Sequence, residues 1–286
     1  MDNLKAKKRH PEEIAVYTAI YVCAAFSVLL LLGIIIYVFA KGARRVNWAF
    51  LTGVTSILHG TVGIAGNILN TLIIILLTMI ITTPIGVGAA IYLNEYAKPG
   101  KLVTVIIFAT ETLAGIPSII FGLFGMLFFG QLCNMGYSLL TGSLTLTLMV
   151  LPLVTRNTQE ALKTVPDSFR TGAVGLGAGK WYTIRTILLP SAMPGIVTGV
   201  ILAIGRIIGE SAALLFTAGS AHLLPKTFNA FLEKIFHSGG TLTIQLYLSA
   251  SKGEFEVAFG IAVVLLVIVL LINFGTKRLA KKLEKH

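Results

Sequence analysis

The amino-acid sequence predicts an all-α integral membrane protein with six transmembrane helices in one domain. Three observations carry that reading. Hydrophobic residues make up 55% of the 286, and the mean hydropathy is +0.86. Charged residues make up only 12%, about half the share usual for a soluble domain, so the chain lacks the polar groups to cover a water-facing surface. The apolar residues also fall in runs, most of them long enough to supply the roughly 20 helical residues that cross a hydrocarbon core.

The first run, Ile14–Ala40, follows a basic segment, is too long for the apolar part of a signal peptide and lacks a cleavage site, so it reads as a retained helix. The second and third, Ile64–Leu93 and Leu102–Gly130, each exceed a minimal span and can tilt or protrude. The fourth, Leu139–Val154, is short, carries Pro152 near its end, and either begins earlier or continues past Thr155. Ile187–Phe216 and Val257–Phe274 complete the set. Gly and Pro inside the runs (Pro84, Gly86, Gly88, Pro117, Pro194, Gly195) suit a bundle, where neighbours satisfy freed backbone groups and small residues let helices approach. Cys23 and Cys133 lie inside or at the end of apolar runs and read as buried thiols rather than a bridge. The five histidines show no metal-ligand spacing.

The net charge of +11 would suit a nucleic-acid partner if it formed a stripe with interleaved aromatics. It does not; most basic residues lie between or beyond the apolar runs. With the N-terminus inside, sixteen of the 23 Lys and Arg fall on inner segments, six (Lys41, Arg44, Arg45, Lys226, Lys234, Lys252) on outer ones, and Arg206 within the membrane. The positive-inside rule then places both termini in the cytoplasm.

Two connections are long. In the outer one, about 217–256, Leu223–Phe236 can form an amphipathic surface helix that Ser238-Gly239-Gly240 ends. In the inner one, about 155–186, Pro166-Asp167 signals a helix start and Gly177 or Gly179 a stop. A short helix over Asp167–Leu176, held by two flanking spans, is either a rigid lever or an ordinary interfacial helix. The run Gly175-Leu176-Gly177-Ala178-Gly179-Lys180 is no phosphate-binding P-loop. That motif needs Gly where Val174 stands and Ser or Thr where Trp181 stands. Any ATP chemistry belongs to another polypeptide.

The residues from Phe169 to Trp181, followed by Ile187-Leu188-Leu189-Pro190, resemble the "EAA" loop of ABC-importer permeases. Gly177, Ile187, Leu189 and Pro190 match in register, whereas Thr171 and Gly172 replace the Glu and first Ala, which removes one charge from the contact with the ATPase. Four more segments resemble permeases of phosphate-specific transport (Pst). They are Pro84–Ala97, Ala114–Gly125, Pro194–Gly199 and Ala203–Ala212.

The resemblance implies a type I ABC-importer permease (MetI-like) fold with a core over residues 64–275. A tail, helix and outer loop over 1–63 would precede it, and a basic cytoplasmic tail over 276–286 would follow. It implies a non-catalytic, PstA-type inner-membrane subunit for phosphate import, pairing with a PstC-type permease, two ATP-binding subunits and an extracytoplasmic phosphate-binding protein. ATP and Mg would be held by the ATPase subunits, with no cofactor on this chain. Arg170, Gly175, Leu176, Gly177 and Trp181 would belong to the coupling contact. Sulfate, molybdate or phosphonate are alternative cargoes; a secondary transporter or sensor scaffold is a further alternative.

The intramembrane charges carry the expected mechanism. Arg206 and Glu210 are four apart in the fifth run, which puts them on one face of an unbroken helix, and Glu111 lies in the third. A central charge costs roughly 2.5–3.5 kcal/mol on insertion scales and faces the bundle interior. Arg206 is therefore expected to attract phosphate, its planar fork matching an oxyanion, while Glu210 or Glu111 holds it in the empty state. The alternative is a permanent Arg–Glu pair that locks helix packing. Thr78, Thr82, Thr83, Ser118, Thr198 and Ser211 either line a polar path or bond to helix carbonyls.

Overall fold

A computed structural model describes residues 11–56, 61–225 and 227–283; the N-terminal basic tail, Lys226 and the last three residues lie outside them. The chain runs α1 (Pro11–Gly42), α2 (Trp48–Thr52), a ribbon of β1 (Val54–Ser56) and β2 (Thr61–Ile64), α3 (Ala65–Ile91), α4 (Lys101–Gly115), α5 (Ser118–Gly125), α6 (Leu139–Lys163), α7 (Asp167–Gly175), α8 (Lys180–Thr183), α9 (Leu189–Gly209), α10 (Ala212–Thr217), α11 (Phe228–Glu233), α12 (Leu242–Ser251) and α13 (Phe255–Leu283). A wider π turn, Tyr92–Tyr96, closes α3, and another, Ile184–Leu188, joins α8 to α9. Among the described residues, five helices are long and apolar enough to cross a membrane, or six if the bent pair formed by α4 and Ser118–Leu132 is one span.

That pair occupies the third run, Leu102–Gly130, which is broken rather than one continuous helix. The chain bends by 103° between α4 and α5, where Ile116 is extended (φ −74°, ψ 132°) before Pro117. The proline ring disfavours helical backbone in the residue before it and removes an N–H. The fifth run breaks too: α9 ends at Gly209 and Glu210 is extended (φ −82°, ψ 122°). The fourth run continues to Lys163 straight through Pro152, as one of the two expectations for it held. The helix expected over Leu223–Phe236 is confined to α11 and a 3-10 turn at Lys234–Phe236, beginning only after Pro225. The ribbon β1–β2 and helix α12 were not foreseen.

Helix α6 is the axis, packed between α3 and α9, with α13 beyond α9. A central core of Ile74, Leu146, Val150, Ala203, Ile207 and Leu214 joins them. The start of α13 packs with α2 and the start of α3 through Phe50, Ile64, Val257 and Ile261. At the opposite end, Ile91, Leu162, Val165, Ile184, Leu188 and Ile196 form a separate core under α7. Close crossings depend on glycine: a Cβ on Gly125 would lie 2.0 Å from Thr145 Oγ1, and one on Gly195 2.5 Å from Ala161 Cβ. Several buried hydroxyls bond back to their own helix, as Thr145 Oγ1 does to the Thr141 carbonyl at 2.8 Å, and so does the exposed Thr198 Oγ1 to that of Pro194 at 2.9 Å. Thr78 Oγ1 instead reaches the Ser143 carbonyl of α6 at 3.5 Å.

Helix α1 stands apart. None of its apolar stretch is buried within the chain; it runs along α13, where Tyr37 and Phe259 meet edge to face at 5.7 Å. Both cysteines are free and lie at the surface of the chain, not buried as expected. Cys23 stands on the apolar face of α1 that the chain leaves uncovered, and Cys133 in the turn that follows Met126–Leu132.

Candidate translocation face and coupling handle

Helix α7 and the turn after it form a handle projecting from the end of the bundle. Pro166 (φ −57°, ψ 141°) sets the entry, and Asp167 places negative charge in the first turn. The exit follows from Gly177 in left-handed backbone (φ +78°), where the Gly177 N–H donates to the Val174 carbonyl at 2.9 Å and the Ala178 N–H to that of Ala173 at 3.0 Å. This closes the last turn as glycine-ended helices do. The chain then runs through Lys180 into one helical span ending at Gly209.

Of α7, only Ala173 is buried. Phe169, Val174, Leu176, Trp181 and Tyr182 point outward, Leu176 being 91% exposed. Gly175 and Gly177 are exposed with open space around them. Five large apolar side chains around a polar helix form a surface that calls for a partner.

Arg170, expected on that surface, instead turns inward. Its Nη2 donates to Glu95 Oε1 at 2.9 Å and to the Leu162 carbonyl at 3.0 Å; Nη1 donates to the Val165 carbonyl at 2.9 Å and to Asp167 Oδ1 at 3.0 Å; Nε reaches Glu95 Oε1 at 3.3 Å. The physical reason is geometric: a five-donor fork finds here a carboxylate, the Leu162 carbonyl in the last turn of α6 and the Val165 carbonyl just beyond that helix. Its hydrogen bond with Glu95 holds the guanidinium above its ordinary pKa, against the opposing effect of burial. Beside it, Lys180 Nζ sits 4.7 Å from the centre of the Tyr96 ring. Glu95 and Lys180 lie within segments that resemble the permease family, but nothing in the sequence assigns either a role. Glu95 lies 75 residues before its partner, and the available signal was only an acid closing an apolar run.

The three intramembrane charges do not come together. Arg206 lies on an exposed face of α9 with Thr198, Leu202, Gly205 and Gly209, while Ala203, Ile204, Ile207 and Ile208 pack inward. Glu210 is not on that face, because the helix has ended. Its Oε1 accepts from the Ala213 N–H at 3.1 Å, capping α10, and its carbonyl accepts from Thr243 Oγ1 at 2.9 Å. The expected same-helix pair is thus replaced by a helix cap. Glu111, exposed on α4, borders a hollow of about 180 Å³ with Thr110, Arg156, Gln159, Glu160 and Lys163, toward the handle. Among the described residues, no ion pair joins Arg206 to any carboxylate.

Comparison with known proteins agrees with this architecture. The sequence model of the family described as "Binding-protein-dependent transport system inner membrane component" matches residues 82–286. The probable ABC transporter permease protein YqgI of Bacillus subtilis (strain 168) is 36% identical over 273 residues, covering 92% of this chain and 93% of its own. The phosphate transport system permease protein PstA of Xylella fastidiosa (strain Temecula1 / ATCC 700964) is 34% identical, covering 84% and 82%. PstA 1 of Mycobacterium tuberculosis (strain CDC 1551 / Oshkosh) is 34% identical, covering 79% and 70%. In structure, the chain resembles a chain of a bacterial alginate ABC transporter with a TM-score of 0.71 at 14% identity, covering 96% of each. It also resembles one of the MetNI methionine ABC transporter with a TM-score of 0.58 at 21% identity, covering 77% and 94%; these two likenesses concern the fold. The type I (MetI-like) permease fold, the apolar spans and a match over most of the length lead to one conclusion: this chain belongs to the binding-protein-dependent transport system inner membrane component family, as a multi-pass inner-membrane permease component of an ABC importer.

Proposed function

We propose that this chain is the PstA-type subunit of an importer of inorganic phosphate and supplies half of the translocation pathway. The observation that carries the reading is Arg206: a guanidinium on an open face of a membrane-crossing helix, with no carboxylate partner among the described residues. Lipid on that face would cost roughly 2.5–3.5 kcal/mol on insertion scales. The small neighbours Gly205 and Gly209 would let another helix or a hydrated path approach closely. A second, PstC-type permease then covers the face, and the cation meets the anion between them. The fork of Arg206 suits an oxyanion, and the PstA names of relatives such as those in Xylella fastidiosa and Mycobacterium tuberculosis favour phosphate.

The core for this task is residues 64–275, with both termini and the handle cytoplasmic. Through Phe169, Val174, Leu176, Gly175, Gly177, Trp181 and Tyr182 the handle docks on ATPase subunits that hold ATP and Mg; this chain performs no hydrolysis. A phosphate-binding protein delivers the anion to the other face. Glu111 and Glu210 shape the field around the path without pairing with Arg206 in this state.

Arg206→Gln in the assembled importer tests the reading. Phosphate uptake is expected to vanish with membrane level and subunit association unchanged, whereas intact uptake would refute the pathway role. A second cargo reading has its own support, since YqgI carries only a general permease name. Competition of uptake by sulfate, molybdate or phosphonate separates the two. Uptake that survives an inactivated ATPase would point to a secondary transporter.

A further inference from the structure

The handle is fastened to the bundle twice through its covalent ends, at α6 and α9, and a third time through a side chain. Glu95 sits in the turn that closes α3; its carboxylate side chain is only 8% exposed and also accepts from Asn94 Nδ2 at 2.7 Å. Arg170 holds that carboxylate with Nε and Nη2, and its Nη2 and Nη1 also donate to the Leu162 carbonyl in the last turn of α6 and to the Val165 carbonyl just beyond it. Lys180 over the Tyr96 ring adds a contact one residue further on. One residue of α7 therefore grips the ends of two membrane helices at once. Beneath it, Ile91 of α3 packs with Leu162 of α6 and Ile196 of α9.

We propose that Arg170 and Glu95 form a strut that carries displacement of the handle into α3, and that Arg170 is a positioning residue for coupling, not part of the ATPase contact. This rests on the reading of α7 as the ATPase-docking handle. Without the strut, α7 still reaches α6 and α9 through the backbone and keeps its outward apolar face, so the ATPase still docks. Helix α3 no longer follows. The fork matters as much as the charge, because a lysine at position 170 offers one point donor group where the guanidinium reaches several acceptors in different directions.

The test uses the complete importer in proteoliposomes, with uptake and ATP hydrolysis measured on the same preparation. Arg170→Lys and Glu95→Gln are expected to lower phosphate taken up per ATP hydrolysed about tenfold, the factor by which loss of one charged hydrogen bond reduces the population in which α3 follows the handle. ATPase association should stay unchanged. Lys180→Gln, at an exposed position, should shift the ratio in the same direction by less. A ratio equal to wild type in Arg170→Lys and Glu95→Gln overturns the strut, and so does a parallel fall of uptake, hydrolysis and ATPase association, which would mark a folding staple. Failure of the underlying reading looks different: a Leu176→Cys variant would give no crosslink to any ATPase subunit in the otherwise intact complex.

Discussion

Leu176 offers the most direct measurement of the handle as a docking surface. It stands at the end of α7, 91% exposed, so nearly all of its surface is available for burial by a partner. Truncation to alanine removes three of its four side-chain carbons, and at about 0.8 kcal/mol for each buried methylene the upper bound is about 2.4 kcal/mol. Incomplete desolvation at an interface rim lowers the expected loss to about 1.5–2.4 kcal/mol, or roughly 10- to 60-fold in affinity. The assay is titration of purified ATPase subunits onto the permease pair in lipid nanodiscs, read by the binding midpoint. Because the residue contributes almost nothing to the chain's own core, the thermal stability of Leu176→Ala should match wild type within about 0.5 kcal/mol. A midpoint within twofold of wild type would refute the assignment of this surface to the ATPase.

Two stability predictions follow from packing and burial. Gly125→Ala forces a carbon against Thr145 and should cost about 1–3 kcal/mol by overpacking, read as a lower melting midpoint in detergent. Gly88→Ala, with nothing within 4 Å, should be neutral or stabilise α3 by up to about 1 kcal/mol; equal effects of the two would refute the account of the crossing. Burial lowers the pKa of Lys234 from its ordinary value, while its ammonium donates to the Leu223 carbonyl. Since the unfolded chain holds this proton more tightly, stability rises with pH from the lowered folded-state value up to about 10.4. The melting temperature of wild type relative to Lys234→Met should therefore climb as pH rises toward the ordinary lysine value, and a flat difference would refute it.

The handle was legible because its limits are written in local chemistry: Pro166-Asp167 opens α7, and Gly177 supplies the positive φ that closes it. The breaks in the third and fifth runs were not, because a hydrophobic run records lipid and protein contact without recording direction. Proline alone does not mark them. Pro84, Pro152 and Pro194 all lie inside continuous helices, whereas α9 ends at Gly209-Glu210 without a proline. The direction of Arg170 depends on a carboxylate 75 residues away, and no local pattern encodes that distance. The same limit explains Glu210: spacing of four puts it under Arg206 only while the helix lasts.

Those two breaks bear on how the proposed displacement of the handle would travel along the helices. The short helices beyond them, α5 and α10, touch backbone to backbone; a Cβ on Gly122 would lie 2.8 Å from the Ala213 Cα. A continuous rod would carry any tilt of its inner half to its far tip. Articulated rods confine it. If α7 meets the ATPase as proposed, a push on the handle would be taken up at Ile116-Pro117 and Glu210-Ser211, and the joined tips of α5 and α10, packed on α6, would keep the end that faces away from the handle closed.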